Sequence, residues 1–198
     1  MSAIPTEGEC LRILIEEGAN RSIVEHCCIV KEVAKRIGEC CGADIRLVIA
    51  GALLHDIGRT RTHGLDHVIE GMKIAMERNL PVEVVRIIQR HLGAGLTEKE
   101  AELLGFPPGN YMPETLEEKI VTHADNLVDE NGVRSVWDAS ADFERRGFLD
   151  AAKRMKMMHE ELSRLCDRDI DELLFPLKRR VKFSGSCSEY ILQQGTDP

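Results

Sequence analysis

The sequence predicts an all-α fold of one domain, and three observations carry that expectation. Apolar residues recur at helical spacing along nearly the whole chain, while runs that alternate apolar and polar between turns are scarce. Only one Trp, two Tyr and five Phe occur in 198 residues, a thin supply for a strand-rich core. The length suits one full core, and 43% hydrophobic with 30% charged residues excludes wholesale disorder.

The elements follow from their start and stop signals. Thr6 and Glu9 have capping-box spacing and open a first helix that should end near Gly18. A second helix is expected from about Ser22 to Ile37, stopped by Gly38, with Ile23, Val30, Val33 and Ile37 on one stripe. The third spans about Asp44 to Asp56; its LVIAGALL run is apolar on every side, as in a central helix, and Gly58 can supply the left-handed stop. A fourth covers Leu65 to Arg78, and Asn79-Leu80-Pro81 breaks the chain before a fifth reaching His91, with Pro81 in its first turn. Thr97 with Glu100 opens a short sixth helix; Gly105 to Pro113 reads as a loop; Thr115 with Glu118 opens a seventh that carries Asp125. After Ser140 one long amphipathic helix is expected to about Cys166, and a shorter one ending before Pro176. Neither an internal repeat nor a domain boundary is visible. The reading is a single domain over 1–183, with a core at about 20–130, C-terminal helices at 140–176 and a loosely ordered tail at 184–198.

Composition narrows the function classes. Twenty-six basic against 34 acidic residues give a net charge of −8, which argues against a nucleic-acid partner; Lys178, Arg179, Arg180 and Lys182 read as a solvated face. The longest apolar run, Leu47 to Leu54, is too short to cross a bilayer, and the first residues carry no export pattern, so a cytoplasmic protein without a membrane partner is expected. Seven cysteines with no Cys-x-x-Cys spacing exclude a zinc ribbon. They read as reduced, buried apolar groups, with Cys187 in the polar tail as an exposed thiol.

Six side chains stand out for chemistry. His26 falls on the inward stripe of the second helix, where a lone histidine is more often core than ligand. His55-Asp56 places two polar groups at the end of the most apolar helix, which costs stability unless a partner satisfies them. Imidazole and carboxylate together suit a divalent cation: zinc, manganese or ferrous iron. Asp125 shares a face with Val121 and Val128; alone it would pass as a surface aspartate paired with Lys119. His67 and His91 each lie at a helix end, where the dipole also favours histidine. Taken together, these are too many inward or helix-end ligand groups to explain one by one.

In order, His26, His55-Asp56 and Asp125 resemble the His…His-Asp…Asp signature of the HD-domain superfamily of metal-dependent phosphohydrolases, and Leu53-Leu54-His55-Asp56-Ile57-Gly58 resembles its HDIG form. The stretches RTHGLDHVIEG, HLGAGLT and LEEKIVTHADNLVD are similar to an archaeal HDIG group that includes dihydroneopterin 2′,3′-cyclic phosphate phosphodiesterases. The resemblance implies a helical HD-domain bundle. It implies one divalent ion (Fe2+, Mn2+ or Zn2+) held by His26, His55, Asp56 and Asp125, and a second held by His67 and His91, with Asp56 bridging. Two such ions can lower the pKa of a shared water and neutralise charge on phosphoryl oxygens. The Gly-Tyr-Pro element of cyclic dinucleotide phosphodiesterases is missing after His91, which argues against that substrate class.

Around this set, Arg59 and Arg61 are expected to bind phosphate, Arg59 where the superfamily often has lysine; for Arg61 a solvated loop charge is an even alternative. His63 could ligate, donate a proton to the leaving oxygen or only touch solvent, and a place beside the substrate or behind the ligands is favoured; Tyr111 on the Pro-Gly loop is read as a stacking partner for a planar ring. His123 reads as structural, Lys119 as a surface lysine, and His159 within its methionine-rich stripe as packing or a subunit contact, which leaves a homo-oligomer open. The expected function is hydrolysis of a small-molecule phosphate ester, foremost a cyclic phosphodiester such as dihydroneopterin 2′,3′-cyclic phosphate. Alternatives are a 5′-nucleotidase or nucleoside triphosphate hydrolase, a diiron oxygenase, and a non-catalytic metal-binding module.

Overall fold

Capping side chains set where the helices begin. Thr6, Thr97 and Thr115 each close a capping box, with Glu9, Glu100 and Glu118 respectively, and Asn20, Asp44 and Ser135 accept from the first-turn amides of their own helices. The computed structural model describes residues 3–179 and 181–194. In chain order it contains α1 (Glu7–Glu16), α2 (Arg21–Cys41), α3 (Ile45–Leu54), a 3-10 turn (Ile57–Thr60), α4 (His67–Glu77), α5 (Val82–Arg90), α6 (Glu98–Leu103) and α7 (Leu116–Asn126). There follow a small antiparallel hairpin of β1 (Val128–Asp129) and β2 (Gly132–Val133), then α8 (Val136–Arg145), α9 (Leu149–Leu165), α10 (Ile170–Arg179) and α11 (Gly185–Gln194). The fold is all-α. No described helix is long and apolar enough to cross a membrane.

The centre is α3, packed by α1, α2, α5 and α7. Leu47, Val48, Ala50, Ala52, Leu53 and Leu54 are all buried, and each large side chain among them contributes roughly 1.5–3 kcal/mol of burial. Gly51 lets α5 cross close by: a Cβ there would lie 2.5 Å from Ile87 Cδ1. Gly58 does the same for the 3-10 turn against α4, since its Cβ would lie 1.8 Å from the His67 carbonyl oxygen. These contacts bring the ends of α3, α4 and α5 together.

Several sequence expectations need correction. The second helix runs through Gly38 and stops at Gly42, which takes the left-handed conformation with φ 74°. The long helix after Ser140 is two helices, α8 starting earlier at Val136, with the break after Arg145 and Gly147 at φ 85°. Pro176 lies inside α10, because burial of Ile170, Leu173 and Leu174 holds the helix through the lost amide bond. Within the segment expected to be loosely ordered, residues 185–194 form α11; residues 195–198 lie outside the described residues.

The cysteine reading also changes. Cys28 is bonded to Cys187, and Cys40 to Cys166, with Cα atoms 5.9 and 5.1 Å apart. Cys187 is fully buried rather than an exposed thiol. The partners are 159 and 126 residues apart, so local spacing carried no sign of them. Beside the first bond, buried Lys31 donates to Glu32 Oε1 at 2.7 Å and to the Ser184 carbonyl at 3.0 Å, and the Cys187 amide donates to Glu7 at 3.0 Å. Cys10, Cys27 and Cys41 are free.

Candidate metal centre and substrate cavity

Three histidines are aimed by one device. The Nδ1 of His55, His67 and His91 donates to the carbonyl three residues earlier, of Ala52, Gly64 and Ile88, at 2.7, 2.7 and 2.8 Å. Because a carbonyl only accepts, each Nδ1 carries the proton, and each Nε2 faces inward as a potential ligand atom. All three side chains are buried.

The inward atoms converge on Asp56. Its Oδ2 lies 3.7 Å from the Nε2 of both His26 and His55; its Oδ1 lies 3.2 Å from His67 Nε2 and 3.6 Å from His91 Nε2. Asp125 Oδ1 completes the first group, 3.1 Å from His26 Nε2 and 3.3 Å from His55 Nε2. Two sets therefore have ligand geometry, His26-His55-Asp56 and Asp56-His67-His91, and Asp56 belongs to both.

The residues fit divalent cations. His67 and His91 bring Nε2 atoms to 3.2 Å, and with both protons committed to carbonyls, two lone pairs face each other unless a cation lies between. His55 Nε2 and Asp56 Oδ1 are buried without a hydrogen bond. Electrostatics point the same way. Burial opposes the charged form of His55, yet Asp56 and Asp125 outweigh it and push that imidazole up to about 9. Burial also opposes the carboxylates, yet the facing histidines hold Asp56 and Asp125 well below the ordinary range. His91 is pushed down by burial. The cluster sets two carboxylates among four imidazoles, a nitrogen and oxygen donor set that suits a divalent cation.

A cavity of about 490 Å³ opens on this cluster, with His26, Asp56, Arg59, His63 and Asp125 in its wall. Arg59 Nε donates to Asp56 Oδ2 at 2.5 Å. Two expected substrate residues are placed elsewhere. Arg61 lies outside the lining, pairing with Glu77 at 2.8 Å and flanked by Glu70 and Glu17; acidic residues of α4 and the cap of α1 draw it away. Tyr111 is 3% exposed, its hydroxyl donates to the Pro107 carbonyl at 2.9 Å, and its ring packs edge-on against Phe106. It is core beneath the Pro-Gly loop. Lys119 pairs with Glu161 at 2.7 Å. His123 is buried with Nε2 3.2 Å from His159 Nδ1 and belongs to neither candidate ligand set.

Sequence reasoning missed Asn126, Arg134, Phe143 and Arg146, which also line the cavity. Asn126 donates to the carbonyls of Gly93, at 2.5 Å, and Thr122, at 2.9 Å, tying the segment after His91 to α7. Its place beside Asp125 in the chain was the available signal. Phe143 and Arg146 reach the site from α8 and its C-cap, beyond the motif-bearing stretch, and only Gly147 marked the break that positions them.

An all-α bundle that gathers His, His-Asp and Asp around one shared carboxylate has the arrangement of the HD domain, and the HD-domain family model matches residues 23–128. The chain belongs to that family. It is 48% identical over 170 residues to a tRNA (cytidine(56)-2′-O)-methyltransferase of Picrophilus torridus, covering 86% of this chain and 50% of that protein. A Thermoplasma volcanium protein of the same name is 42% identical with the same coverage. The chain thus spans half the length of these curated relatives. An uncharacterized protein of Methanocaldococcus jannaschii is 38% identical, covering 77% of this chain and 94% of that one. Among solved structures, the HD domain of the L. monocytogenes phosphodiesterase PgpH, in complex with cyclic-di-AMP, superposes with a TM-score of 0.56 at 18% identity, over 88% of this chain and 99% of that one. At that identity the likeness is one of fold.

Proposed function

We propose that this chain is a metal-dependent phosphohydrolase acting on a small phosphate ester, foremost a cyclic phosphodiester such as dihydroneopterin 2′,3′-cyclic phosphate. The observation that carries the reading is the sharing of Asp56 between the two ligand sets. His26, His55, Asp56 and Asp125 would hold one divalent ion, and Asp56, His67 and His91 the other. Bound there, such ions would activate water and neutralise charge on phosphoryl oxygens.

The chain's own residues supply the rest. The i−3 carbonyl bonds keep three imidazoles in the ligating tautomer before any ion arrives. Arg59, at the cavity wall beside Asp56, offers N–H donors to a phosphoryl oxygen and orients the ester. Water adds to phosphorus, the bond from phosphorus to the leaving oxygen breaks, and His63 in the same wall gives that oxygen its proton.

The methyltransferase name of the longer relatives stays with them in this reading. The chain matches half of those proteins, and the matching family model is the HD domain. Incubation with tRNA and labelled S-adenosylmethionine should transfer no methyl group. The direct test is anaerobically purified protein, stripped and reloaded with manganese or ferrous iron, assayed on dihydroneopterin 2′,3′-cyclic phosphate, nucleoside 2′,3′-cyclic phosphates, 5′-nucleotides and nucleoside triphosphates. Cyclic diesters should be opened fastest. Turnover confined to 5′-nucleotides would move the assignment to a nucleotidase, and oxygen uptake by the iron form would move it to an oxygenase.

A further inference from the structure

The cavity is larger than one phosphate needs. About 490 Å³ is in the range that takes a drug-sized ligand. Its wall has two chemistries: candidate ligand groups from α2, the α3 end and α7 with Arg59 of the 3-10 turn, and a second set of Phe143, Arg146, Arg134, Leu92 and Gly93. With the scissile phosphate at the first set, the remainder of the substrate meets the second.

Within that second set the two arginines differ. Arg134 is tied to Asp142 and lies 3.6 Å from Asp129, so its charge is answered. Arg146 makes no ion pair among the described residues. Its guanidinium carbon sits 5.7 Å from the Phe143 ring centre and 5.3 Å from that of Phe148. The two rings stand at 61° to one another, so the guanidinium is attracted to both without an acidic partner, and its N–H donors are left for a ligand. Phe143 is only partly buried, and Gly93 beside it adds no side chain between ring and cavity; a Cβ at Gly93 would lie 3.4 Å from Phe143 Cε1.

Resting on the phosphohydrolase reading, we propose that Phe143 and Arg146 select the substrate: a phosphate ester whose leaving group carries a planar heterocycle with a carbonyl oxygen and a ring nitrogen adjacent on one edge. Guanine and pterins share that edge. The ring packs against Phe143, and the Arg146 fork donates to both acceptors, as arginine does to the O6 and N7 of guanine. Adenine offers an acceptor beside a donor and forfeits one of the two bonds. The stacking role assigned by sequence to Tyr111 passes to Phe143, which faces the cavity as Tyr111 does not.

The test separates recognition from chemistry. Titration calorimetry on the metal-free 198-residue chain compares guanosine 2′,3′-cyclic phosphate, adenosine 2′,3′-cyclic phosphate and ring-free glycerol 1,2-cyclic phosphate; turnover of the same three by manganese-loaded protein is measured alongside. The guanosine diester should bind roughly 10-fold tighter than the adenosine diester, the size of one lost arginine–base bond. Arg146→Ala should erase that ratio, while the charge-retaining Arg146→Lys, whose ammonium can still donate to both acceptors, should keep part of it. Phe143→Leu should weaken both nucleotides and leave the ring-free diester unchanged. Equal binding of all three, no binding of any, or a guanosine preference that survives Arg146→Ala would overturn the inference. A binding preference without turnover by the loaded protein would uphold recognition and sink the phosphohydrolase reading instead.

Discussion

Three of the candidate ligand residues are held by short local bonds, whereas His26 and Asp125 meet each other across 99 residues. For His55, His67 and His91 the orienting acceptor is a carbonyl three residues back, so each ligand is aimed by the helix end or turn that carries it. His91→Ala should lower metal content from about two ions per chain toward one, read by plasma mass spectrometry, while two-metal catalysis is lost. Retention of both ions would show that His91 is not a ligand. At the other extreme, burial pushes the Cys10 thiol up to about 12. Native protein should therefore resist iodoacetamide at Cys10 at pH 8, and the same residue should alkylate readily once the chain is unfolded, as peptide mapping will show. His55 and Asp56 were legible because polar residues at the end of an apolar helix are costly without a partner; His26, His67, His91 and Asp125 joined them through the resemblance to the HD-domain signature. Phe143 and Arg146 were not, since nothing local distinguishes a cavity wall from a solvated helix face. Tyr111 misled because loop position says nothing of whether the ring turns in or out.

Among the elements, the crossings decide the geometry. Gly58→Ala would drive a methyl into the His67 carbonyl, so the 3-10 turn and α4 must separate. That should cost about 3 kcal/mol and roughly 8 °C in Tm by calorimetry, with His67 drawn off Asp56. An unchanged Tm would mean the turn absorbs the methyl freely. Helix α5 is fixed to α7 by Arg90, whose Nη1 donates to buried Glu118 at 2.8 Å and to Glu114 at 2.7 Å. Arg90→Leu strands the Glu118 carboxylate and should destabilise by about 3 kcal/mol in urea unfolding, with less loss in the double variant that also carries Glu118→Leu. Since His91 follows directly, metal affinity should fall as well. Most helix starts were readable because a capping box is a local sequence device. The ends were harder: Gly38 looked like a stop yet stays helical, and the α8–α9 break turns on a single Gly147.

For the molecule as a whole, the C-terminal segment is part of the structure. Cys28–Cys187, the buried Lys31–Glu32 pair and Glu7 bind α11 against α1 and α2. Peptide mapping without reductant should recover Cys28 joined to Cys187 and Cys40 to Cys166. Cys187→Ser should lower unfolding free energy by about 3 kcal/mol and speed hydrogen exchange in α11 alone; protection unchanged there would show that packing suffices. This closure could not be read from sequence, because it joins residues 159 positions apart and the tail itself is polar. The all-α class could be, because helical periodicity over long segments survives errors at the ends.

The central claim is that separate helices bring six side chains around two cations that share Asp56. Anomalous-scattering crystallography of protein loaded with manganese or iron measures this most directly. Two peaks are expected, one among His26, His55, Asp56 and Asp125, the other among Asp56, His67 and His91, and both should vanish in Asp56→Ala. A single peak, or peaks that persist in Asp56→Ala, would contradict it.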